Sequence, residues 1–353
     1  MSSDATPAAS SPAPAIAGLA AQRMALRIGF GAALGFVLAE FTGAPIFFLA
    51  PLLAVQLLAS MQQPPTLRQG IGLVVLIAVT SGVTLLLAGA FASRPLVYVV
   101  LIAVTLFFGF LLDTAGKTAT AGNLLTMTAT IPLLVTQSAE SATALAGSFI
   151  GATAIAVLTA WLAFAAFPGP PAETMAPPPV RRASPRTALV NTLLLFPVLL
   201  LFMLDGRTTF VVLMVIIAII RQSDRSAGPR AMIALLAGNC LGGLVATIAF
   251  AFVTLQPSFV FFLLIVLLVG LTFGARAAAG GAQAPLFSIA LASFVILLGI
   301  GVSPLPAESG EAFTARLWNV MLAGVYAVGA ISLVSAPAAN VATASSEKEP
   351  VRP

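Results

Sequence analysis

Long apolar runs separated by short polar connections dominate this sequence. About 20 apolar residues form a helix that crosses roughly 30 Å of hydrocarbon with every backbone group hydrogen-bonded internally. The pattern predicts an all-α, polytopic transmembrane bundle of about twelve helices, the eighth of them short for a full crossing. Their approximate ranges are 24–41, 45–61, 70–91, 95–112, 118–136 and 141–167, then 187–204, 208–220, 230–254, 257–275, 283–302 and 315–334.

The composition supports a membrane location. Apolar residues make up 59% of the 353 residues and charged residues only 8%, whereas soluble domains carry roughly 25% charged residues. The net charge of +5 does not indicate a nucleic-acid partner, because Lys and Arg are scattered between apolar runs. The lipid bilayer is therefore the expected surrounding.

Basic residues collect on one side of the predicted bundle. An even number of helices puts both termini on the same side, and that side receives thirteen of the 16 Lys and Arg residues. The opposite side receives Arg94, Arg207 and Arg316. Because cytoplasmic loops carry an excess of Lys and Arg, both termini are predicted to be cytoplasmic, with the chain in a bacterial inner membrane.

A Pro-rich segment at residues 168–186 divides the chain into two halves. It is predicted to be an extended cytoplasmic linker between six helices in residues 23–167 and six in residues 187–334. Residues 1–22 and 335–353 are predicted to be flexible tails. Both halves begin on the same side, so they would form a parallel repeat about an axis along the membrane normal.

Charged positions favour this repeat. The sequence LFFG at 106–109 is similar to LTFG at 271–274. Three basic pairs recur at a nearly constant spacing, with 159 residues from Arg27 to Arg186, 157 from Arg68 to Arg225 and 159 from Lys117 to Arg276. Since basic cytoplasmic loops look alike in any polytopic protein, the repeat is a hypothesis at this point.

The fifth predicted helix carries a polar face beside Pro132. Its members are Thr120, Asn123, Thr126, Thr130 and Gln137. A polar face exposed to lipid is costly, so this one is predicted to point at other helices or at a water-filled path. The interpretations as helix packing and as substrate path both stay open. Asn123, Thr126, Thr130 and Asn239 are the candidates for the path.

Glycines four residues apart indicate close helix packing. Three such pairs occur: Gly31 with Gly35, Gly147 with Gly151, and Gly238 with Gly242.

The absence of His limits the chemistry that the chain can perform. It removes the usual metal ligand, general base and near-neutral proton switch, and the single Cys240 is predicted to be an apolar filler. No metal, cofactor or enzymatic activity is therefore expected. Proton coupling would fall to carboxylates, with Glu40 and Asp113 as candidates unless they are solvated helix ends. Burial would favour such a role, because desolvation raises the pKa of a carboxylate.

Several short motifs carry a family resemblance. They are Leu26-Arg27, QPPTLRQG at 63–70, Arg225, and Arg230 followed by LAGNCLGG at 236–243. Over about residues 23–334 the chain resembles the fusaric acid resistance protein superfamily, the bacterial aromatic acid exporter-like membrane proteins. It is most similar to the compact members of the DUF2955 type, which lack large soluble domains.

The resemblance implies proton-driven efflux of aromatic carboxylates, related organic anions or xenobiotics. A periplasmic membrane-fusion adaptor is a further partner that it implies. Arg27 and Arg186 are then expected to attract the anion at the inner mouth, as residues related by the repeat. Two alternatives stay open. One is a passive organic-anion channel, since plant malate channels share a related six-helix unit, and the other is a non-transporting scaffold for envelope assembly.

Overall fold

The computed structural model describes residues 13–44, 46–91, 93–135, 138–169, 183–205 and 228–302, together with positions 213, 216, 217 and 220. Within these ranges the chain forms ten helices and no strand. They are α1 (Ala13–Phe41), α2 (Leu49–Ser60), α3 (Leu67–Phe91), α4 (Pro95–Thr114), α5 (Thr118–Val135), α6 (Ala139–Ala166), α7 (Pro185–Asp205), α8 (Gly228–Leu255), α9 (Phe259–Ala278) and α10 (Ala284–Val302).

Eight of these helices are long and apolar enough to cross a membrane, which indicates a multi-pass membrane protein. The two shorter apolar helices are α2 and the stretch Thr120–Val135 of α5. Ten of the twelve predicted helices are thus confirmed as helices. The predicted helix at 208–220 lies mostly outside the described residues, and the predicted helix at 315–334 lies wholly outside them.

The predicted N-terminal tail needs one correction. Residues 1–22 were expected to be flexible, yet α1 begins at Ala13 and runs for 29 residues. Pro14 is tolerated in a first helical turn, and the Ala-rich stretch that follows has high helix propensity. Because Ala costs little in a helix, this segment continues α1 beyond its membrane-spanning part.

Glycines end two of the helices with the same hydrogen-bond pattern. Gly43 and Gly116 have positive φ angles of 59° and 85° after α1 and α4. The amides that follow bond five residues back, from Ala44 to Ala39 and from Lys117 to Leu112. This is the Schellman motif, which satisfies the last carbonyls of a helix and favours Gly at the left-handed position.

The first helix lies at the centre of the bundle. It packs against α9, α2 and α6. The 12-residue α2 is about 18 Å long, too short to span the hydrocarbon layer, and it packs on α1, α6 and α10. We call the end at which α2, α4 and α6 finish the inner end, since the predicted topology puts it at the cytoplasm.

Close helix packing confirms two of the three predicted glycine pairs. A Cβ on Gly35 would lie 2.6 Å from the Pro51 Cα of α2, and one on Gly238 would lie 2.8 Å from the Leu286 carbonyl of α10. Gly31 and Gly242 are equally tight against α2 and α10. The third prediction is wrong, because Gly147 and Gly151 meet nothing within 4 Å. That pair lies on an exposed side of α6.

The two halves share a register of helix ends. The spacing is 164 residues between the ends of α1 and α7, of α3 and α8, and of α4 and α9, and also between the starts of α4 and α9. Their packing partners correspond as well. The pair α1 and α9 matches α7 and α4, and the pair α3 and α5 matches α8 and α10.

Candidate functional site

Arg27 is the one charged side chain among the buried residues of the described chain. It is 2% exposed and is the largest of the fully buried side chains. It lies on α1 at the level where α2 and α6 end, since it contacts residues next to both ends. Sequence reasoning placed it near the inner boundary but expected its long side chain to reach solvent there.

Few groups compensate this buried guanidinium. The Phe164 ring of α6 lies 4.3 Å from its central carbon, a cation–π contact. Its Nη1 donates to the Gln62 carbonyl at 3.4 Å, longer than an ordinary hydrogen bond, and its Nε has no partner. No carboxylate in the described part of the chain lies within the 4.0 Å of an ion pair.

Tight packing on the opposite side of α1 fixes the position of Arg27. The Cα of Gly29 would lie 2.9 Å from a Cβ on Gly270, and Ile28 lies against Gly274 of the same helix, α9. Because neither crossing has room for a larger residue, α1 is held rigidly on α9. The guanidinium is therefore presented from a fixed backbone toward α6 and the loop after α2.

Gly169 passes close over the guanidinium after α6 ends. A Cβ at this position would lie 3.4 Å from Nη1 of Arg27 and would clash with the Gln62 carbonyl. The aromatic pair Phe30 and Phe167, 5.8 Å apart and edge to face, lies on the neighbouring turn of α1 and the residue after α6. The surroundings of Arg27 are thus aromatic side chains and main-chain atoms.

The loop between α2 and α3 is fixed by residues of the resemblance motif at 63–70. The Trp161 indole of α6 donates to the Pro65 carbonyl at 2.7 Å, and Gly70 packs under its ring. Thr66 and Gln69 bond each other's backbone amides, at 3.3 Å and 2.9 Å, in a capping box that starts α3. This motif therefore holds a loop carbonyl next to Arg27.

An anion would complete the hydrogen bonding of Arg27. A buried charge without a counter-ion costs several kcal/mol, and a guanidinium presents five donors that fit a carboxylate in two parallel bonds. The adjoining Phe164, Phe30 and Phe167 rings would favour an aromatic group attached to that carboxylate. The arrangement can thus bind an aromatic monocarboxylate, and the contact set was not predictable from the sequence.

Arg186 is not equivalent to Arg27. It is exposed, whereas Arg27 is buried. In the register of helix ends, Arg27 lies 14 residues before Phe41, and the residue 14 before Asp205 is Asn191, which is half-buried. The expected symmetry between the two arginines is therefore wrong, because the 159-residue spacing of charges differs from the 164-residue spacing of the helices.

The predicted polar face of α5 points at other helices. Helix α5 packs against α3, α4, α6 and α7. Asn123 and Thr126 are half-buried, and Thr130 is fully buried and donates to the Thr126 carbonyl at 2.7 Å. Thr128, which the prediction did not include, has a buried hydroxyl without a partner. Gln137 lies outside the described residues.

Asn239 takes part in the contact between α8 and α10. Its Oδ1 accepts a hydrogen bond of 2.6 Å from the Ser293 hydroxyl, between the two tightly packed glycines Gly238 and Gly242. An interhelical bond of this kind stabilises membrane helices. The structure thus gives Asn239 a packing contact and does not bring it to Arg27.

The two carboxylate candidates lie away from Arg27. Glu40 is exposed in the last turn of α1, so it lacks the burial on which its proposed proton coupling depended. Asp113 is half-buried near the end of α4 and has an interaction of its own. Among the residues that the structure describes, no group of three His, Cys, Asp or Glu could hold a metal, and Cys240 is exposed.

Comparison with known proteins gives one match. Residues 24–166 are similar to a family described as protein of unknown function, DUF2955. The match begins just after Arg23 and ends with the last residue of α6. No curated protein and no solved structure matches the chain.

Proposed function

We propose that this protein is a membrane transporter that exports aromatic carboxylates or related organic anions. The observation that carries the proposal is the buried guanidinium of Arg27, which has one long hydrogen bond, an unpaired Nε and no counter-ion in the described chain. A transporter needs a site that is unsatisfied until its cargo arrives. An intramembrane ionisable residue is a candidate of this kind.

A two-fold architecture supports transport over the alternative of an envelope scaffold. The shared 164-residue register and the matched packing of α1 on α9 and of α7 on α4 favour two six-helix repeats. The bounds of the family match, 24–166, fit one such repeat. Repeats related in this way usually enclose a substrate path at their interface. Arg27 would lie beside that interface, because α1 forms it.

Proton coupling is the second part of the proposal. The proton gradient would drive export, and Asp113 is the stronger carrier because it is half-buried, whereas Glu40 is exposed. Asn123, Thr126 and Thr130 would border the path further out on α5. We place the chain in the bacterial inner membrane with cytoplasmic termini, working with or without a periplasmic adaptor and without catalysing a reaction.

Reconstitution tests this proposal. The purified chain in proteoliposomes should move labelled benzoate under an imposed pH gradient, and Arg27→Gln should reduce the rate at least tenfold, since a bond to a charged group is worth about 1.5–3 kcal/mol. The matched control is Arg186→Gln, which removes an exposed arginine and should leave transport nearly unchanged.

Other outcomes select other functions. Benzoate currents that follow voltage without any effect of pH would identify a passive anion channel. If Asp113→Asn and Glu40→Gln both keep full pH coupling, neither carboxylate carries the proton. Absence of any benzoate movement in the native chain would refute transport of aromatic carboxylates.

A further inference from the structure

Residues 62–65 form a loop that covers Arg27 at the inner end of the bundle. Gln62, Gln63 and Pro64 are exposed, while Pro65 is buried. The loop touches the guanidinium through the Gln62 carbonyl, and Arg27 itself is 2% exposed. Reaching Arg27 from the inner end therefore requires this loop to move.

The loop is held at two points of unequal strength. At Pro65 the carbonyl accepts a 2.7 Å bond from the Trp161 indole, and the capping box of Thr66 and Gln69 follows at once. At Gln62 the carbonyl accepts only the 3.4 Å bond from Arg27. Ordinary N–H···O bonds measure 2.7–3.2 Å, so the Pro65 end is fixed and the Gln62 end is weakly attached.

We propose that residues 62–65 are the inner gate of the anion path, that Trp161 holds the fixed end of this gate, and that Arg27 latches its free end. The inference rests on the proposed function, because it assigns anion binding to Arg27. Carboxylates form shorter and stronger bonds to a guanidinium than a neutral carbonyl does. An arriving anion therefore takes the donors of Arg27 and releases Gln62, so one side chain couples recognition to opening.

Cysteine labelling of the full-length protein measures the gate directly. Cys240 is the single cysteine of the chain, and Cys240→Ser gives a background in which Gln63→Cys reports on the loop. Benzoate should raise its rate of reaction with N-ethylmaleimide about fivefold, the effect of losing one ordinary hydrogen bond. The neutral isostere benzamide should not. Ala279→Cys, exposed after α9 at the same end, is the control reporter and should not respond.

Two variants separate the latch from the fixed end. Arg27→Gln should abolish the benzoate effect on Gln63→Cys. Trp161→Phe keeps most of the ring but removes the indole donor, so it should raise the labelling rate about fivefold without benzoate. An equal rise at Ala279→Cys in these variants would overturn the gate, because it would mean that the whole inner end has loosened.

The result also separates this inference from the proposed function. Labelling that benzoate leaves unchanged or slows overturns the gate, and Arg27-dependent transport in proteoliposomes would then still support the exporter. If the native chain moves no benzoate at all, the proposed function fails and the gate fails with it.

Discussion

At the scale of single residues, Arg27 carries a charge that its surroundings compensate only in part. The Phe164 contact is worth about 2 kcal/mol when desolvated, and a neutral hydrogen bond about 1 kcal/mol. Burying an unpaired charge costs several kcal/mol, so these contacts do not offset the cost. Such a residue lowers the stability of the fold, and stability is commonly lost where a site must bind something.

Arg27→Met should therefore stabilise the protein while it abolishes benzoate transport. Methionine keeps the apolar stem and removes the charge, and we expect a gain of about 1–3 kcal/mol in the free energy of unfolding. Thermal unfolding of the purified protein in detergent measures it, with Arg186→Met at an exposed arginine as the control that should change little. A clear loss of stability in Arg27→Met would show that the arginine holds the fold together instead.

The sequence identified Arg27 but not its partners. Its place near the start of a predicted span made it a candidate for attracting anions, a role that no observation yet tests. Phe164 and Gln62 carried no signal of their own, because they meet Arg27 only through the packing of α1, α2 and α6. Trp161 was predicted to anchor the membrane interface, and its bond to Pro65 depends on that same packing.

At the scale of helices, hydrophobic pattern predicted the bounds of the described spans to within a few residues, apart from the start of α1 and of α2. Apolar runs determine these bounds because lipid leaves a helix no other way to satisfy its backbone. The pattern could not say which glycine pairs lie between helices. Gly238 and Gly242 contact α10, whereas Gly147 and Gly151 face outward on α6, and both pairs have the same spacing.

Gly242→Ala should destabilise the protein, and Gly147→Ala should not. The added methyl group at Gly242 meets the Ala290 carbonyl and lies 2.8 Å from the Ser293 Cβ, while nothing lies within 4 Å of the one at Gly147. Overpacking costs about 1–3 kcal/mol, and exposed substitutions stay within about 0.5 kcal/mol. Unfolding midpoints of both variants in detergent check this difference. Equal midpoints would mean that α8 and α10 pack less tightly than described.

At the scale of the whole molecule, the fold is an arrangement of corresponding helix pairs. The six-plus-six division was predictable from the Pro-rich segment and the charge pattern. The pairing of α1 with α9 and of α4 with α7 was not, since no sequence signal connects helices so far apart along the chain. Helix ends turned out to be the better guide to register, because loop charges shift by several residues without changing the packing.

Topology fusions test the predicted orientation of the whole chain. Green fluorescent protein fused after residue 334 should fluoresce, and alkaline phosphatase fused after Arg94 should be active, because the former needs the cytoplasm and the latter the periplasm. Twelve spans and thirteen basic residues on one side give this expectation. An active phosphatase after residue 334 would mean an odd number of crossings.

The asymmetry between Arg27 and Asn191 has an energetic consequence for the proposed exporter. With one buried cation in the described chain, each cycle carries one monoanion outward. If one proton enters in exchange, two elementary charges cross the membrane per cycle in the same electrical sense. Each is worth about 2.3 kcal/mol per 100 mV. The membrane voltage would then act twice per molecule exported, so a cell could hold aromatic acids at low internal concentration even with little pH difference across its membrane.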